Sequence, residues 1–214
     1  MKKLELEIRG ELNKKQYSKL LRYLHTTGKF IKQFQRFQML FFKIRSEDLK
    51  SHKHLKNDLR IRIENGACSI TLKHGYWQTP SGREEYIIPF EQEYLPDVAK
   101  MLYRLGHRFG KIMLQNTRIF RYKDIEWAIV KVPHTNSKYV KYYWEAEKEV
   151  SRKDESKALE ILNKAAEELE LTTFSKKEFI LFLERLNKMP GRSFDFHSKH
   201  NIDKVLKDFT EYLS

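Results

Sequence analysis

Eight stretches of the chain are predicted to be β-strands, and in several of them apolar and polar residues alternate with the period of two that is typical of half-buried strands. In the first stretch, the apolar residues Leu4, Leu6 and Ile8 alternate with charged residues. The predicted strands cover residues 4–9, 30–45, 59–64, 67–73, 83–90, 108–121, 125–132 and 140–150. The dipeptide Asn65-Gly66, between the third and fourth strands, predicts a tight hairpin turn.

Other stretches repeat their apolar residues every three to four positions, which predicts amphipathic helices. In residues 13–27, for example, Leu20, Leu21 and Leu24 fall on one side, and Gly28 is a typical helix stop. Further helices are predicted at residues 95–105, 155–170, 175–187 and 201–213. The mixture of strands and helices predicts an α+β protein.

The polar sides of the predicted strands carry charges that are mostly of one sign in each strand. The outer face of an ordinary two-layer sheet is more varied. A closed antiparallel β-barrel would explain the pattern, with the charges lining an interior tunnel and helices coating the apolar outside. An open sheet with a solvated charged face is the alternative, and the pattern alone does not separate the two.

The composition favours an anionic partner. The chain has 42 Lys and Arg residues against 29 Asp and Glu residues, and a net charge of +13 is typical of proteins that bind phosphates, nucleic acid or acidic surfaces. The single cysteine, Cys68, excludes a disulfide framework within the chain. We expect a cytoplasmic protein without a membrane partner, because no signal segment opens the sequence and the longest apolar run, residues 39–42, is far too short for a bilayer.

Two pairs of glutamates are candidates for a metal site. Glu5 and Glu7, and likewise Glu145 and Glu147, lie two residues apart on a predicted strand and therefore point to one side. Four converging carboxylates would repel each other unless a cation lay among them. Ligands that are all oxygen favour Mg²⁺ or Mn²⁺ over Zn²⁺. Neither pair is decisive alone, because an isolated Glu-x-Glu is more often an exposed strand face.

The basic residues Arg60, Arg62, Lys73 and Arg83 lie on the strands between these pairs. Guanidinium groups match phosphate oxygens in bidentate fashion. Several cations facing a carboxylate cluster with bound metal would suit a polyphosphate. The alternative is that the cations form structural ion pairs with glutamates, which we favour less because buried ion pairs are costly.

Taken in order, these residues resemble the motifs of the CYTH domain family, the triphosphate tunnel metalloenzymes. The opening Glu5-Leu6-Glu7-Ile8-Arg9 resembles the ExExK motif of the family. The later matches are the paired-arginine strand at residues 59–62, the strand ending in a phosphate lysine at 69–73, the R-x-E strand at 83–86, the K-x-R strand at Thr117-Arg118 and the closing ExE at 144–147. The resemblance covers about residues 1–186.

The resemblance implies an antiparallel β-barrel tunnel with helices outside, and an enzyme that hydrolyses triphosphates or cyclises ATP. It implies that the metal ligands are Glu5, Glu7, Glu145 and Glu147, that the phosphate-binding residues are Arg60, Arg62, Lys73, Arg83 and Arg118, and that Arg9 and Glu85 are catalytic positions.

The sequence also departs from the family pattern. Arg9 stands where the family has a lysine, and an arginine does not transfer protons at neutral pH. The other departures are Ile87 for an acid, Asn116 (or Gln115, in another register) for a lysine, and Val130 or Lys131 for an aspartate. The phosphate-binding charges are therefore better preserved than the acid–base groups.

We expect residues 1–186 to form the tunnel domain and residues 187–214 a helical extension, which caps the barrel or contacts a second copy in a homodimer. The favoured function is a phosphohydrolase, dependent on Mg²⁺ or Mn²⁺, that acts on a small molecule bearing a triphosphate: inorganic triphosphate, or a nucleoside or thiamine triphosphate. The alternatives are a class IV adenylate cyclase, a non-catalytic module that binds nucleotides or polyphosphate, and a nucleic-acid binder, which is not favoured.

Overall fold

A computed structural model gives the structure of the 214-residue chain. It describes residues 4–44, 57–75, 84–134, 136–151, 154–187, 189, 193–196 and 202–210. The strands are β1 (Leu4–Leu12), β2 (Lys29–Phe42), β3 (Asn57–Glu64), β4 (Ala67–His74), β5 (Glu84–Phe90), β6 (Phe109–Tyr122), β7 (Ile125–Val132), β8 (Lys141–Val150) and β9 (Ser193–Asp195). The helices are α1 (Lys14–Thr27), α2 (Leu95–Arg104), α3 (Glu155–Glu168), α4 (Lys176–Asn187) and α5 (Ile202–Thr210).

The strands form one antiparallel sheet in the order β1-β8-β7-β6-β2-β3-β4-β5, and β9 pairs with β6. The predicted antiparallel sheet with accompanying helices is therefore confirmed. The order begins at β1 and ends at β5, and within the described residues no hydrogen-bonded ladder joins these two strands. The closure of the expected barrel is therefore not confirmed.

The chain divides into two compact units. The first contains residues 1–35, 78–83 and 115–186, and the second contains residues 36–77, 84–114 and 187–214. The long strands β2 and β6 contribute one half to each unit. Residues 187–214 belong to the second unit together with β3, β4 and β5. The expected tunnel domain of residues 1–186 with an extension at 187–214 stays a prediction.

In the first unit, the apolar side of the sheet packs against α1 and α3. Leu20, Leu21 and Leu24 of α1 are buried, as their spacing predicts. The helix begins at a capping box, in which the Asn13 side chain accepts a hydrogen bond from Gln16 N and the Gln16 side chain accepts one from Asn13 N, both at 2.9 Å. This capping fixes the direction in which α1 leaves β1.

The core of the second unit includes residues of β2, β3, α2, β9 and α5. The C-terminal segment is part of this core, because Phe194 is buried on β9 and Val205 and Leu206 are buried on α5. Gly110 of β6 permits the close approach of β9, since a Cβ on Gly110 would lie 2.1 Å from the Phe194 ring. The strand β9 was not predicted from the sequence, and it has only three residues.

Of the helices in the described part of the chain, none is both long enough and apolar enough to cross a membrane.

Candidate functional site

The second unit brings three of the predicted cations to one polar face of its strands. Arg60 and Arg62 lie two residues apart on β3, and Arg60 pairs directly with Thr71 of β4. Lys73, two residues further along β4, pairs with Glu85 of β5. Residues that are paired across strands, or that lie two apart on one strand, share a face of the sheet. We call this set the cation face.

Arg60 is held in a structural ion pair on the cation face. Its Nε donates a hydrogen bond to Oδ1 of Asp58 at 2.8 Å, and its Nη1 donates one to Oε1 of Gln38 at 2.7 Å. The Asp58 side chain is only 1% exposed, so this carboxylate depends on a cationic partner. Arg60 therefore has an ion pair of the kind that the structural alternative describes, and its role as a phosphate ligand stays a prediction. Asp58 was not singled out, although it continues the two-residue period of β3.

Arg62 and Lys73 share a single carboxylate. Lys73 Nζ lies 3.1 Å from Oε2 of Glu85, and Arg62 Nη2 lies 3.6 Å from Oε1 of the same side chain. Within the described residues, the buried Nε of Arg62, the buried hydroxyl of Thr71 and the buried Oε1 of Glu85 have no hydrogen-bond partner. Buried donors are rarely left unpaired, so this part of the cation face offers a positive charge and unused donors to an anion.

The lowered pKa of Arg62 also favours a bound anion at this position. Its burial, followed by the neighbouring charges of Arg36 and Arg60, lowers the pKa of Arg62 to about 10, although Glu85 and Glu64 act in the opposite direction. The charged form is therefore disfavoured by its surroundings but still fully populated at neutral pH. An anion bound beside Arg62 would relieve this cost.

The first unit carries the predicted glutamates on adjacent strands. Glu7 of β1 pairs directly with Glu147 of β8, which on its other side pairs with Glu126 of β7. Glu145, also on β8, pairs with Arg9. All of these residues share one face by the two-residue period, and we call it the carboxylate face.

Glu5 is the remaining member of the predicted metal set. It pairs with Glu149 of β8, and its side chain is not among those that the structure describes. Glu126 was missed from the sequence. It is the first polar position of β7, and only the register with β8 shows that it lies beside Glu147.

The geometry does not fit a divalent metal as the side chains stand. Carboxylate oxygens suit Mg²⁺ or Mn²⁺, but a guanidinium already lies beside two of the four candidates. Arg9 Nη2 is in contact with the Glu7 carboxylate, and Arg9 Nη1 lies 3.5 Å from Oε1 of Glu145. Among the described residues, no three His, Cys, Asp or Glu side chains form a group that could hold a metal ion.

Arg118 is not brought together with the glutamates. It pairs with Ile129, which is buried in the apolar core of the first unit, so it lies on the opposite face of the sheet. Its Nε donates a hydrogen bond to Oε1 of Gln33 at 2.8 Å. On the carboxylate face, β6 presents Thr117 and Gln115 instead. The other predicted phosphate ligand, Arg83, lies outside the described residues.

The departures from the family pattern also have defined positions. Ile87 pairs with Thr71, so the expected second acid of β5 is absent from the cation face itself. Val130 is buried and pairs with Tyr143 on the carboxylate face, where the family pattern has an aspartate. The cation face and the carboxylate face therefore each lack one acid that the motif resemblance implies.

Solved structures with this fold were found by comparison of the coordinates. The PH1819 protein of Pyrococcus horikoshii OT3 is 21% identical, with a TM-score of 0.62 over 85% of this chain and 99% of that chain. HpAC1 from Hippeastrum, a provisional adenylyl cyclase described as having a dominant triphosphatase activity, is 16% identical, with a TM-score of 0.54 over 89% of this chain and 98% of that chain. A chain of the Schizosaccharomyces pombe Mediator head module is 12% identical, with a TM-score of 0.57 over 78% of this chain and 94% of that chain.

The chain shares the fold of these proteins. No family model and no curated protein matches the sequence. The expected architecture is thus confirmed as an antiparallel sheet with helices, and at these identities the likeness concerns the fold alone. The Mediator head module and HpAC1 have this fold in common, so function has to be argued from the side chains of this chain.

Proposed function

We propose that this chain binds a small molecule bearing a triphosphate through the cation face of its second unit, and hydrolyses it as a phosphohydrolase dependent on Mg²⁺ or Mn²⁺. The observation that carries the proposal is that Arg62 and Lys73 share one carboxylate, Glu85, while a buried Arg62 donor has no partner within the described residues. An anion with several oxygens would satisfy both the charge and the donor.

Each residue of the cation face has a separate task in this proposal. Arg62 would donate to a phosphate oxygen through its unpaired Nε, and Lys73 would supply a second positive charge. The Thr71 hydroxyl would add a neutral hydrogen bond. Glu85 would orient both cations, and Arg60, held by Asp58, would support the face without depending on the ligand.

The structural neighbours support this proposal at the level of the fold. HpAC1, whose triphosphatase activity is described as dominant, has the same fold. The candidate substrates are inorganic triphosphate and nucleoside or thiamine triphosphates.

The metal is the part of the proposal that requires a rearrangement. Glu5, Glu7, Glu145 and Glu147 would be its ligands, and Mg²⁺ or Mn²⁺ held by them would supply Lewis-acid chemistry. Arg9 would have to leave Glu7 and Glu145 for these carboxylates to bind a metal.

Release of phosphate from inorganic triphosphate, measured with Mg²⁺, with Mn²⁺ and with a chelator, tests the proposed hydrolysis. We expect release that depends on the metal in the wild type, and a large loss in both Glu5→Ala and Arg62→Met. If the wild type released no phosphate and Glu5→Ala behaved identically, the chain would not be a phosphohydrolase. Product analysis with ATP distinguishes the alternative adenylate cyclase, which would form cyclic AMP.

A non-catalytic module that binds triphosphate is the second candidate, and the ion pairs of Arg9 favour it. With Arg9 on Glu7 and Glu145, and with Val130 at the position of an expected acid, the carboxylate face retains less of its expected chemistry than the cation face, where Ile87 replaces one acid. This candidate predicts that triphosphate raises the melting temperature of the protein without being consumed.

A further inference from the structure

Arg9 lies where its guanidinium bridges two strands of the carboxylate face. One Nη contacts Glu7 on its own strand, and the other lies 3.5 Å from Oε1 of Glu145, the residue paired with Arg9 across β8. A lysine, with a single ammonium group, could not present two separate nitrogen atoms to these carboxylates. An arginine at this position therefore neutralises the negative charge of two carboxylates, where a lysine would neutralise it through a single nitrogen atom.

The surroundings of Arg9 keep the guanidinium in place. The ring of Phe179 on α4 lies against it, with 4.5 Å between the guanidinium carbon and the ring centroid. The backbone N–H of Phe174 donates a hydrogen bond to the Arg9 carbonyl at 2.8 Å. The Arg9 side chain is 25% exposed, so contacts within the protein cover most of it. A partly desolvated guanidinium that packs on an aromatic ring and pairs with carboxylates is held more strongly than an exposed one.

Arg9 also remains charged under all ordinary conditions. An arginine keeps its proton at any pH at which proteins ordinarily work, so the charge of Arg9 is not removed by a change of pH in that range.

We infer that Arg9 is an internal counter-ion of the carboxylate face, which occupies Glu7 and Glu145 and competes with divalent cations for them. This inference rests on the proposed function, because it concerns the same glutamates that are proposed to bind the metal. It has a direct consequence: the wild-type protein binds Mg²⁺ or Mn²⁺ weakly, and removal of the Arg9 charge strengthens the binding.

Binding of Mn²⁺ alone to the full-length protein tests the inference, by calorimetry and by the electron paramagnetic resonance signal of free Mn²⁺. An opposite charge within 4–6 Å changes the proton affinity of a carboxylate by about 10- to 1000-fold. We therefore expect Arg9→Met to bind Mn²⁺ at least about tenfold more tightly than the wild type. The double variant Arg9→Met/Glu145→Gln should lose this gain. Arg9→Gln, which keeps polar atoms on the strand, is the second variant and should shift the affinity in the same direction.

Arg185→Met is the matched control. Arg185 lies on α4, contacts the Glu11 carboxylate of β1 and lies 5.7 Å from the Phe182 ring centroid, so it also combines a β1 glutamate with an aromatic ring. It has no ion pair with Glu7 or Glu145 among the contacts described. We expect its removal to leave the Mn²⁺ affinity unchanged.

The outcomes separate this inference from the proposed function. Tight binding of Mn²⁺ by the wild type that Arg9→Met and Arg9→Gln do not strengthen overturns the role of Arg9 and leaves the metal-dependent phosphohydrolase in place. Equal gains in Arg9→Met and Arg185→Met also overturn it, because the effect would then be one of net charge. Absence of Mn²⁺ binding from every variant overturns the inference and the metal part of the proposal together. Binding of inorganic triphosphate to the cation face is measured separately, without metal.

Discussion

Replacement of Arg62 by methionine should stabilise the ligand-free protein while it weakens the binding of triphosphate. Arg62 carries a buried charge, its Nε has no hydrogen-bond partner within the described residues, and it shares its one carboxylate with Lys73. Methionine fills a similar volume without a charge. Glu85 retains its ion pair with Lys73, in which Oε2 lies 3.1 Å from Nζ. Replacement of a poorly compensated buried ion by an apolar side chain often increases stability.

The lowered pKa of Arg62 gives the magnitude. The ordinary arginine pKa is about 12.5, and each pKa unit corresponds to about 1.36 kcal/mol. With a pKa of about 10 in the folded protein, the charge costs the fold about 3 kcal/mol at neutral pH. Because methionine also loses the ion pair of the guanidinium with Glu85, we expect a net gain of about 1–3 kcal/mol in the free energy of unfolding.

The pH dependence of this gain has a definite sign. Below pH 10, Arg62 is charged in both the folded and the unfolded protein, and the cost is fully present. As the pH rises through about 10, the folded side chain loses its proton before the unfolded one does, so the wild type gains stability. The advantage of Arg62→Met should therefore be largest at neutral pH and should shrink above pH 10.

Urea unfolding at pH 7 and at alkaline pH measures both effects, with Arg60→Met as the matched control. Arg60 is two residues away on the same strand, but its removal takes the guanidinium from the buried carboxylate of Asp58. It should destabilise the protein by about 3 kcal/mol. If Arg62→Met were as destabilising as Arg60→Met, Arg62 would be a structural ion pair, and the reasoning that makes it a phosphate ligand would be wrong.

Three further predictions concern the site and the fold. Glu85→Gln removes the carboxylate that Arg62 and Lys73 share, so calorimetry without metal should show tighter binding of inorganic triphosphate; unchanged affinity would contradict the shared pairing. Gly10→Ala places a Cβ 2.0 Å from the Thr172 carbonyl oxygen and should lower the free energy of thermal unfolding by about 2–3 kcal/mol, whereas a neutral effect would contradict that close approach. Asn13→Ala removes the capping box of α1 and should cost about 1 kcal/mol by the same measurement; no loss would mean that the cap is dispensable.

The two-residue period of the sequence was sufficient to predict strands such as β1, β3 and β4, because the alternation of faces is a local property of an extended chain. The three-residue strand β9 was not predicted. It placed Arg60 and Arg62 on one face, and Glu145 and Glu147 on one face, and both placements are present in the structure. The described helices were also predicted, with ends that differ by a few residues.

The partner of each charge could not be predicted in this way, because it depends on the register between strands that are distant in sequence. Arg60 and Arg62 have the same local pattern, yet one pairs with Asp58 and the other shares Glu85 with Lys73. Arg118 lies on the apolar side of β6 because of the register with β7, which the local motif does not contain.

The contacts of the Arg9 guanidinium could not be predicted from the sequence either. Its carboxylate partner Glu145 and its ring partner Phe179 lie more than a hundred residues away along the chain. The sequence showed an arginine where the motif that it resembles has a lysine, but only the contacts show that this arginine bridges two carboxylates.

Calorimetric titration of inorganic triphosphate, in a buffer without divalent metal, tests the central claim most directly. The wild type should bind, and Arg62→Met should bind at least about tenfold more weakly, since a hydrogen bond to a charged group contributes about 1.5–3 kcal/mol. Arg22→Met, which removes an exposed arginine of α1, controls for the net charge and should retain the wild-type affinity. Equal affinities of the wild type and Arg62→Met would contradict the assignment of the cation face as the phosphate site.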